Sequence, residues 1–73
     1  MSEPRLVYFI LETEYDPERG YIPCIAKEGE KGYYRTDWYW GHDLERAHQL
    51  CDERNQMMGI DRQEAMRIQL RTM

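Results

Sequence analysis

The chain lacks any run of like charge and any long apolar segment. Fourteen acidic and ten basic residues are dispersed along 73 positions and give a net charge of −4. A nucleic-acid-binding tail needs clustered lysine and arginine, so this pattern disfavours one. The longest apolar run, residues 6–11, is far too short to cross a bilayer, and no basic segment followed by an apolar one opens the sequence. We therefore expect a cytoplasmic protein with no membrane segment.

Cysteine and histidine are scarce, with two residues of each type. His48 and Cys51 are three positions apart, close enough on a helix to share an ion, and Cys24 and His42 would complete a set of four zinc ligands. No Cys-x2-Cys pair occurs, however, and isolated cysteines in a reducing compartment more often behave as small buried hydrophobes. We expect free thiols, no metal site and no cofactor.

The common catalytic motifs are also missing from the sequence. There is no G-x-S-x-G elbow, no H-E-x-x-H and no glycine-rich phosphate loop. A chain of 73 residues forms a single domain, residues 1–73, and one core uses most of it. Little remains to build a pocket that excludes water. We expect a protein that is not an enzyme and has no small-molecule substrate.

Aromatic residues, in contrast, are concentrated in one segment. Residues 32–41 hold five of the nine aromatic residues of the chain between two glycines. In a strand, alternate side chains point to opposite faces of the sheet. As a strand, the segment would place Tyr34, Trp38 and Trp40 on one face and Tyr33 and Tyr39 on the other. One face suffices for a core, so the other needs an explanation.

The rest of the sequence predicts two more strands, which precede the aromatic one. Residues 5–14 and 21–27 read as strands, separated by a turn at 16–20, and residues 33–40 form the third strand. Pro23 has no N–H to donate, which puts the second strand at a sheet edge or places a bulge there. Strand order 1-2-3 is the default, although the apolar first strand could also be central.

Helical periodicity begins after Gly41. Asp43 is a good N-cap, and Gly59 is suited to the left-handed position that ends the helix, with Ile60 as the following apolar residue of a Schellman motif. Asp61 would cap the next helix, with Glu64 completing a capping box. The sequence thus predicts an α+β fold: a three-stranded antiparallel β-meander followed by two α-helices packed on one sheet face.

Two registers of the sheet compete, and a slip by one residue exchanges them. We favour the register in which the third strand turns only uncharged side chains toward the helices. The side chains expected to face the helices are those of Val7, Phe9, Leu11, Ile22, Cys24, Ala26, Tyr34, Thr36, Trp38 and Trp40. Those expected on the outer face are Leu6, Tyr8, Ile10, Tyr21, Ile25, Tyr33, Arg35, Asp37 and Tyr39.

The outer face is the candidate binding surface. Interfaces are enriched in tyrosine, tryptophan and arginine, and monomers rarely expose large apolar patches. We expect a protein-interaction module that binds a protein partner or itself as a homodimer, with four tyrosines as anchors and one arginine as the orienting charge. These residues are Tyr8, Tyr21, Tyr33, Tyr39 and Arg35.

Two other interpretations of this face remain open. Bases of single-stranded nucleic acid stack on exposed aromatic rings, and Arg19, Lys27 and Arg35 would supply a partial basic groove. The tyrosines could instead be purely structural, since tyrosine suits half-exposed sheet positions.

Overall fold

The computed structural model describes residues 4–72. Within this range, three strands form one antiparallel sheet in the order β1-β2-β3, and two helices follow. The elements are β1 (Leu6–Asp16), β2 (Gly20–Lys27), β3 (Tyr34–Arg35), α1 (Leu44–Met57) and α2 (Arg62–Thr72). Both helices pack against the sheet. The predicted α+β fold, with its meander followed by two helices, is confirmed.

The turn between β1 and β2 is closed by Asp16. Its carboxylate accepts hydrogen bonds from the backbone N–H groups of Glu18 and Arg19, at 2.8 and 3.1 Å. These bonds favour the charged carboxylate and hold the pKa of Asp16 below its usual range. The turn predicted at residues 16–20 is therefore confirmed, with Gly20 at its end in the left-handed region, at φ +100°.

Pro23 lies in the central strand, at a break in the register. Ile10 is opposite Pro23, and the next paired residues are Tyr15 and Tyr21, so β1 has extra residues between the two pairs. The second strand is therefore neither at an edge nor bulged at Pro23 as predicted, because it is central and the irregularity lies opposite Pro23, in β1. Strand β1 lies at the edge of the sheet rather than in its centre.

The third strand is much shorter than the predicted 33–40, because only Tyr34 and Arg35 pair with β2. The carbonyl of Pro23 accepts a bond from the Thr36 N–H at 3.0 Å, so Pro23 turns its backbone toward the third segment. Because proline has no N–H to donate in return, the hydrogen-bonded pairing of β2 with β3 ends at Pro23. The Thr36 hydroxyl then donates to the Trp38 carbonyl at 3.1 Å, and the chain bends away from the sheet.

The register of β3 also differs from the favoured one. Cys24 is opposite Arg35, and Ile25 is opposite Tyr34. Residues directly opposite each other share a face, so Tyr34 lies on the face expected for Tyr33, and Arg35 on the face expected for Tyr34. The third strand is thus slipped by one residue relative to our expectation, which exchanges its two faces.

In β1 and β2, the side chains that pack against α2 are ones that we expected to face the helices. The first core cluster consists of Val7, Phe9, Cys24, Ala26, Ile60, Ala65 and Ile68, with Leu11 packed against it. The second consists of Ile10, Ala47 and Cys51, with Tyr8, Tyr21, Trp40 and Leu44 packed against it. Successive residues of β1 enter different clusters, which is why its apolar run is continuous although the strand is at the edge. Our assignment of Tyr8, Ile10 and Tyr21 to an outer face away from the helices was wrong, because all three lie in or against the cluster that contains Ala47 and Cys51 of α1.

The ends of α1 are as the sequence predicts. The Asp43 carboxylate accepts the Arg46 N–H at 3.3 Å. Gly59 is left-handed at φ +76°, and the Ile60 N–H reaches back to the Asn55 carbonyl at 2.9 Å, as in a Schellman motif. Ile60 is almost fully buried, so the motif also fixes the route of the chain into the core.

The start of α2 departs from the predicted capping box in one respect. The Asp61 carboxylate accepts the Glu64 N–H at 2.8 Å, as expected. The Glu64 side chain, however, forms ion pairs with Arg5 and with Arg67 instead of reaching back to the cap. Arg5 also pairs with Glu28 at 2.9 Å, and its hydrogen bonds hold the pKa of the Glu28 carboxyl below its usual range. Arg5 therefore joins β1 to α2.

Candidate interaction surface

Three aromatic rings lie close to one guanidinium group. The Arg54 Cζ atom lies 5.4 Å from the ring centroid of Tyr8, 5.5 Å from that of Trp38 and 5.6 Å from that of Trp40. The rings are close to each other as well, with centroids 6.5 Å apart for Tyr8 and Trp38 and 6.3 Å apart for the two tryptophans. All three distances to Arg54 are within the range of cation–π attraction. We call these three rings the aromatic cage.

The cage and the arginine beside it come from three parts of the fold. Tyr8 comes from the edge strand β1, Trp38 and Trp40 from the segment after β3, and Arg54 from the last turn of α1. Next to Arg54, the Asn55 side chain binds the backbone of Tyr8 through two hydrogen bonds of 2.8 and 2.9 Å. This amide fixes α1 against β1 and so sets the distance between Arg54 and the Tyr8 ring.

Residues 38–41, which we call the tryptophan segment, are held against β2 by a close backbone approach. The Trp40 N–H donates to the Tyr21 carbonyl at 3.0 Å, and the Tyr21 N–H donates to the Gly41 carbonyl at 2.8 Å. A Cβ atom at Gly20 would lie only 2.0 Å from the Gly41 carbonyl oxygen. Glycine at position 20 therefore permits the approach that places Trp40 in the cage.

Arg54 differs from most other arginines in its partners. Arg5, Arg19, Arg35, Arg62 and Arg67 form ion pairs with carboxylates. Among the residues that the structure describes, none forms an ion pair with Arg54, and its side chain is exposed. The rings are the groups that hold the Arg54 guanidinium.

One polar group of the cage has no partner. The indole N–H of Trp38 is buried, and it donates to no acceptor within residues 4–72. An indole N–H usually finds an acceptor when it is buried, because leaving it unpaired costs about 1–3 kcal/mol. The cage thus contains an unused hydrogen-bond donor.

A second pair of rings extends the surface beyond the cage. Tyr15 and Tyr21 are opposite each other, with ring centroids 4.8 Å apart, and Tyr15 is 42% exposed. Tyr21 and Trp40 both pack against the Ile10 cluster, so the pair is continuous with the cage. We call the combined set the aromatic surface; it consists of Tyr8, Tyr15, Tyr21, Trp38 and Trp40.

The structure separates the five predicted binding residues. Tyr8 and Tyr21 belong to the aromatic surface. Tyr33 lies edge-on to Phe9 at 5.5 Å, and Arg35 is opposite Cys24, so both are on the face that carries the α2 core, contrary to our expectation. Their grouping with Tyr8 fails because β3 is slipped by one residue.

Arg35 and the remaining predicted residue, Tyr39, both have charged neighbours. Arg35 pairs with Glu14 at 3.1 Å, and the Tyr39 ring lies beneath the Arg19 guanidinium at 4.3 Å. Tyr39 therefore makes a local contact with the first turn and is not one of the cage rings. Whether Tyr33, Arg35 and Tyr39 contact a partner stays a prediction.

Sequence reasoning missed three residues of the aromatic surface, and it gave no binding role to Arg54. Trp38 and Trp40 were expected to face the helices, and Tyr15 was not singled out. The high aromatic content of residues 32–41 was the available signal for the tryptophans. For Arg54 no local signal exists, because its contacts depend on how α1 is placed against β1.

The cysteines and histidines lie in separate surroundings in the part of the chain that the structure describes. Cys24 and Cys51 are free and buried, and burial raises the pKa of their thiols to about 11 and about 12 respectively. His42 makes a hydrogen bond with the Pro17 carbonyl at 3.0 Å, and His48 is exposed on α1. Within residues 4–72, no three potential ligands are grouped so that they could hold a metal ion.

A cleft of about 340 Å³ opens between the two helices and the edge of β1. Tyr8 and Asn55 line it together with the more apolar Cys51 and Met66. The cleft therefore shares Tyr8 with the cage.

Comparison with models of protein families, with curated proteins and with solved structures found no match. The fold and the surface themselves define a small α+β domain that presents an aromatic cage. In the described part of the chain, neither helix has the length and apolar character needed to span a bilayer.

Proposed function

We propose that this domain is a non-catalytic interaction module of the cytoplasm that binds a protein partner through the aromatic surface. The observation that carries the proposal is the aromatic cage, in which Tyr8, Trp38 and Trp40 hold an arginine that has no carboxylate partner among the described residues. Both cysteines are free thiols, which is typical of proteins in a reducing compartment.

The composition of the surface supports protein binding. Tyrosine, tryptophan and arginine dominate the binding energy of interfaces, and they act best when they cluster near the centre of a contact. The cage places all three residue types within 6.5 Å of one another. Tyr15, which is 42% exposed, widens the same patch.

Binding to a second copy of the chain is one form of this proposal. A closed dimer would bring two identical aromatic surfaces together around a twofold axis. Sedimentation of the purified protein at micromolar concentration distinguishes the two forms, because a dimer has twice the mass of the monomer. A Tyr8→Leu and Tyr15→Ala double variant would be monomeric if the aromatic surface forms that dimer.

Single-stranded nucleic acid is the competing ligand. The basic groove expected for it is weakened in the structure, because Arg35 pairs with Glu14 and Arg19 with Asp16. A carboxylate beside each arginine lowers the local positive potential that would attract phosphates. A titration with an unstructured oligonucleotide at two salt concentrations tests this function, since binding that falls steeply with salt would favour it over a protein partner.

The test of the main proposal compares two double variants, one on each face of the sheet. Tyr8→Leu with Tyr15→Ala alters the aromatic surface, and Tyr33→Ala with Arg35→Ala alters the opposite face. Each is used as bait in quantitative affinity purification from cells that express the protein, after circular dichroism has shown that it is folded.

We expect a defined partner to be lost with the first double variant and retained with the second. Loss with the second variant alone would instead support the binding role predicted for Tyr33 and Arg35 from the sequence. Equal retention by both variants would contradict the proposal, because neither face would then carry the interaction.

A further inference from the structure

The aromatic cage already holds a cation, and that cation belongs to the chain itself. The Arg54 guanidinium lies at nearly equal distances, 5.4 to 5.6 Å, from three ring centroids. A cation–π site of this kind selects large, weakly hydrated cations, and guanidinium is one of them. The geometry of the cage thus shows which chemical group it accommodates.

The hydrogen bonds that fix α1 against β1 do not use the side chain of the occupant. The Arg54 backbone is part of α1, and the adjacent Asn55 holds that helix through the Tyr8 backbone. The Arg54 side chain is exposed, and none of the described carboxylates forms an ion pair with it. Its departure therefore needs only a change of rotamer and the loss of its ring contacts.

We propose that the cage is a binding site for the guanidinium of an arginine from a partner protein, and that Arg54 is the internal competitor that closes it in the free protein. The proposal rests on the proposed function and names the group on the partner. The chain carries a net charge of −4, and the exposed Asp37 directly precedes Trp38, so an incoming arginine meets a favourable field.

The Trp38 indole adds a second requirement for the partner. Its N–H has no acceptor in the described chain, and a backbone carbonyl next to the incoming arginine would supply one once the side chains rearrange. A peptide arginine, with carbonyls on both sides, fits this requirement better than a free cation. The fitting partner is an arginine in an extended, accessible segment.

The experiment empties the cage and refills it with methylguanidinium. In Arg54→Gln, the competitor is removed, and methylguanidinium is added at concentrations below those that denature proteins. We expect saturable changes in tryptophan emission and in the Trp38 and Trp40 indole N–H signals, together with a rise in Tm. The wild-type chain should respond in the same way but bind about tenfold more weakly, because Arg54 competes for the cage.

Three controls define the site. Arg46→Gln removes an exposed arginine of the same helix that makes no ring contact, so its response should equal that of the wild type. Trp38→Leu in the Arg54→Gln background should abolish the saturable response. Arg54→Met keeps an apolar side chain at this position and serves as a second opened cage if the glutamine variant is poorly folded.

The cation series decides the chemistry. Methylammonium should bind at least tenfold more weakly than methylguanidinium, because its hydration is stronger. Preference for tetramethylammonium over methylguanidinium would overturn the assignment to arginine. No saturable response in either opened variant would overturn the site itself, yet it would leave the partner test with Tyr8 and Tyr15 unaffected, so the two proposals fail separately.

Discussion

The side chain of Asn55 binds the backbone of Tyr8 in the manner of a neighbouring strand. Its Oδ1 accepts the Tyr8 N–H at 2.8 Å, and its Nδ2 donates to the Tyr8 carbonyl at 2.9 Å. Strand β1 is at the sheet edge, where such groups would otherwise be free to pair with another chain. One buried amide thus pairs the backbone groups of Tyr8 at the open edge, and it also places Arg54, the preceding residue, near the Tyr8 ring.

Replacing Asn55 with alanine tests this link. Asn55→Ala leaves the N–H and the carbonyl of Tyr8 unpaired beneath α1, and we expect the free energy of unfolding to fall by about 2–3 kcal/mol. Urea denaturation measures the change. Gln56→Ala, an exposed neighbour on α1, is the matched control and should change stability by less than about 0.5 kcal/mol. Equal effects of the two substitutions would contradict the role given to Asn55.

Gly20 provides the second prediction. In Gly20→Ala, the new Cβ would lie 2.0 Å from the Gly41 carbonyl oxygen, so the tryptophan segment must move away from β2. We expect a loss of about 3 kcal/mol in stability. Gly29 has a similar left-handed backbone, φ +86°, with nothing within 4 Å of the new atom, and Gly29→Ala should cost about 1 kcal/mol.

The tryptophan emission of these two glycine variants adds a readout of the cage. Gly20→Ala should shift the emission, because Trp40 no longer lies against Arg54, whereas Gly29→Ala should leave the spectrum unchanged. A spectrum that is the same in both variants would show that the Gly20 approach does not position the cage.

The buried thiols predict a loss of stability in alkali. Burial raises the pKa of the Cys24 thiol to about 11 and that of Cys51 to about 12, while thiols of the unfolded chain ionise near pH 8.5. Below that pH both states keep their protons, so these thiols add no pH dependence. Between about pH 9 and 11 the unfolded state loses protons first, and each thiol lowers stability by up to about 1.4 kcal/mol per pH unit.

Urea midpoints measured from pH 7 to 10.5 check this prediction. The comparison is with Cys51→Ala, which removes the contribution of one thiol. We expect a shallower decline in the variant than in the wild type. Parallel curves would show that Cys51 does not carry a raised pKa in the folded state.

The sequence predicts the local parts of this fold well. Asp43, Gly59 and Asp61 act through hydrogen bonds to residues a few positions away, so their roles as helix ends follow from spacing alone. The turn after Asp16 has the same local origin. These features are confirmed because nothing distant competes with them.

The third strand shows where such reasoning fails. The strand ends where Pro23 of the neighbouring strand lacks a backbone N–H, and its register is set by pairing with β2 rather than by its own sequence. The same limit applies to Arg54, whose ring contacts arise from α1 lying along β1 through Asn55. The alternation of side chains within residues 32–41 indicates that aromatic rings lie on both faces of the strand. It does not indicate which face meets the helices.

The nuclear magnetic resonance signals of the Arg54 side chain test the central claim most directly. In the free wild-type protein, the rings should shift its δ protons upfield of their random-coil positions. As a peptide with one central arginine is added, we expect these protons to move back toward random-coil values while the Trp38 and Trp40 indole signals change in parallel. Signals of Arg54 that start at random-coil values, or that do not move at saturating peptide, would contradict the account.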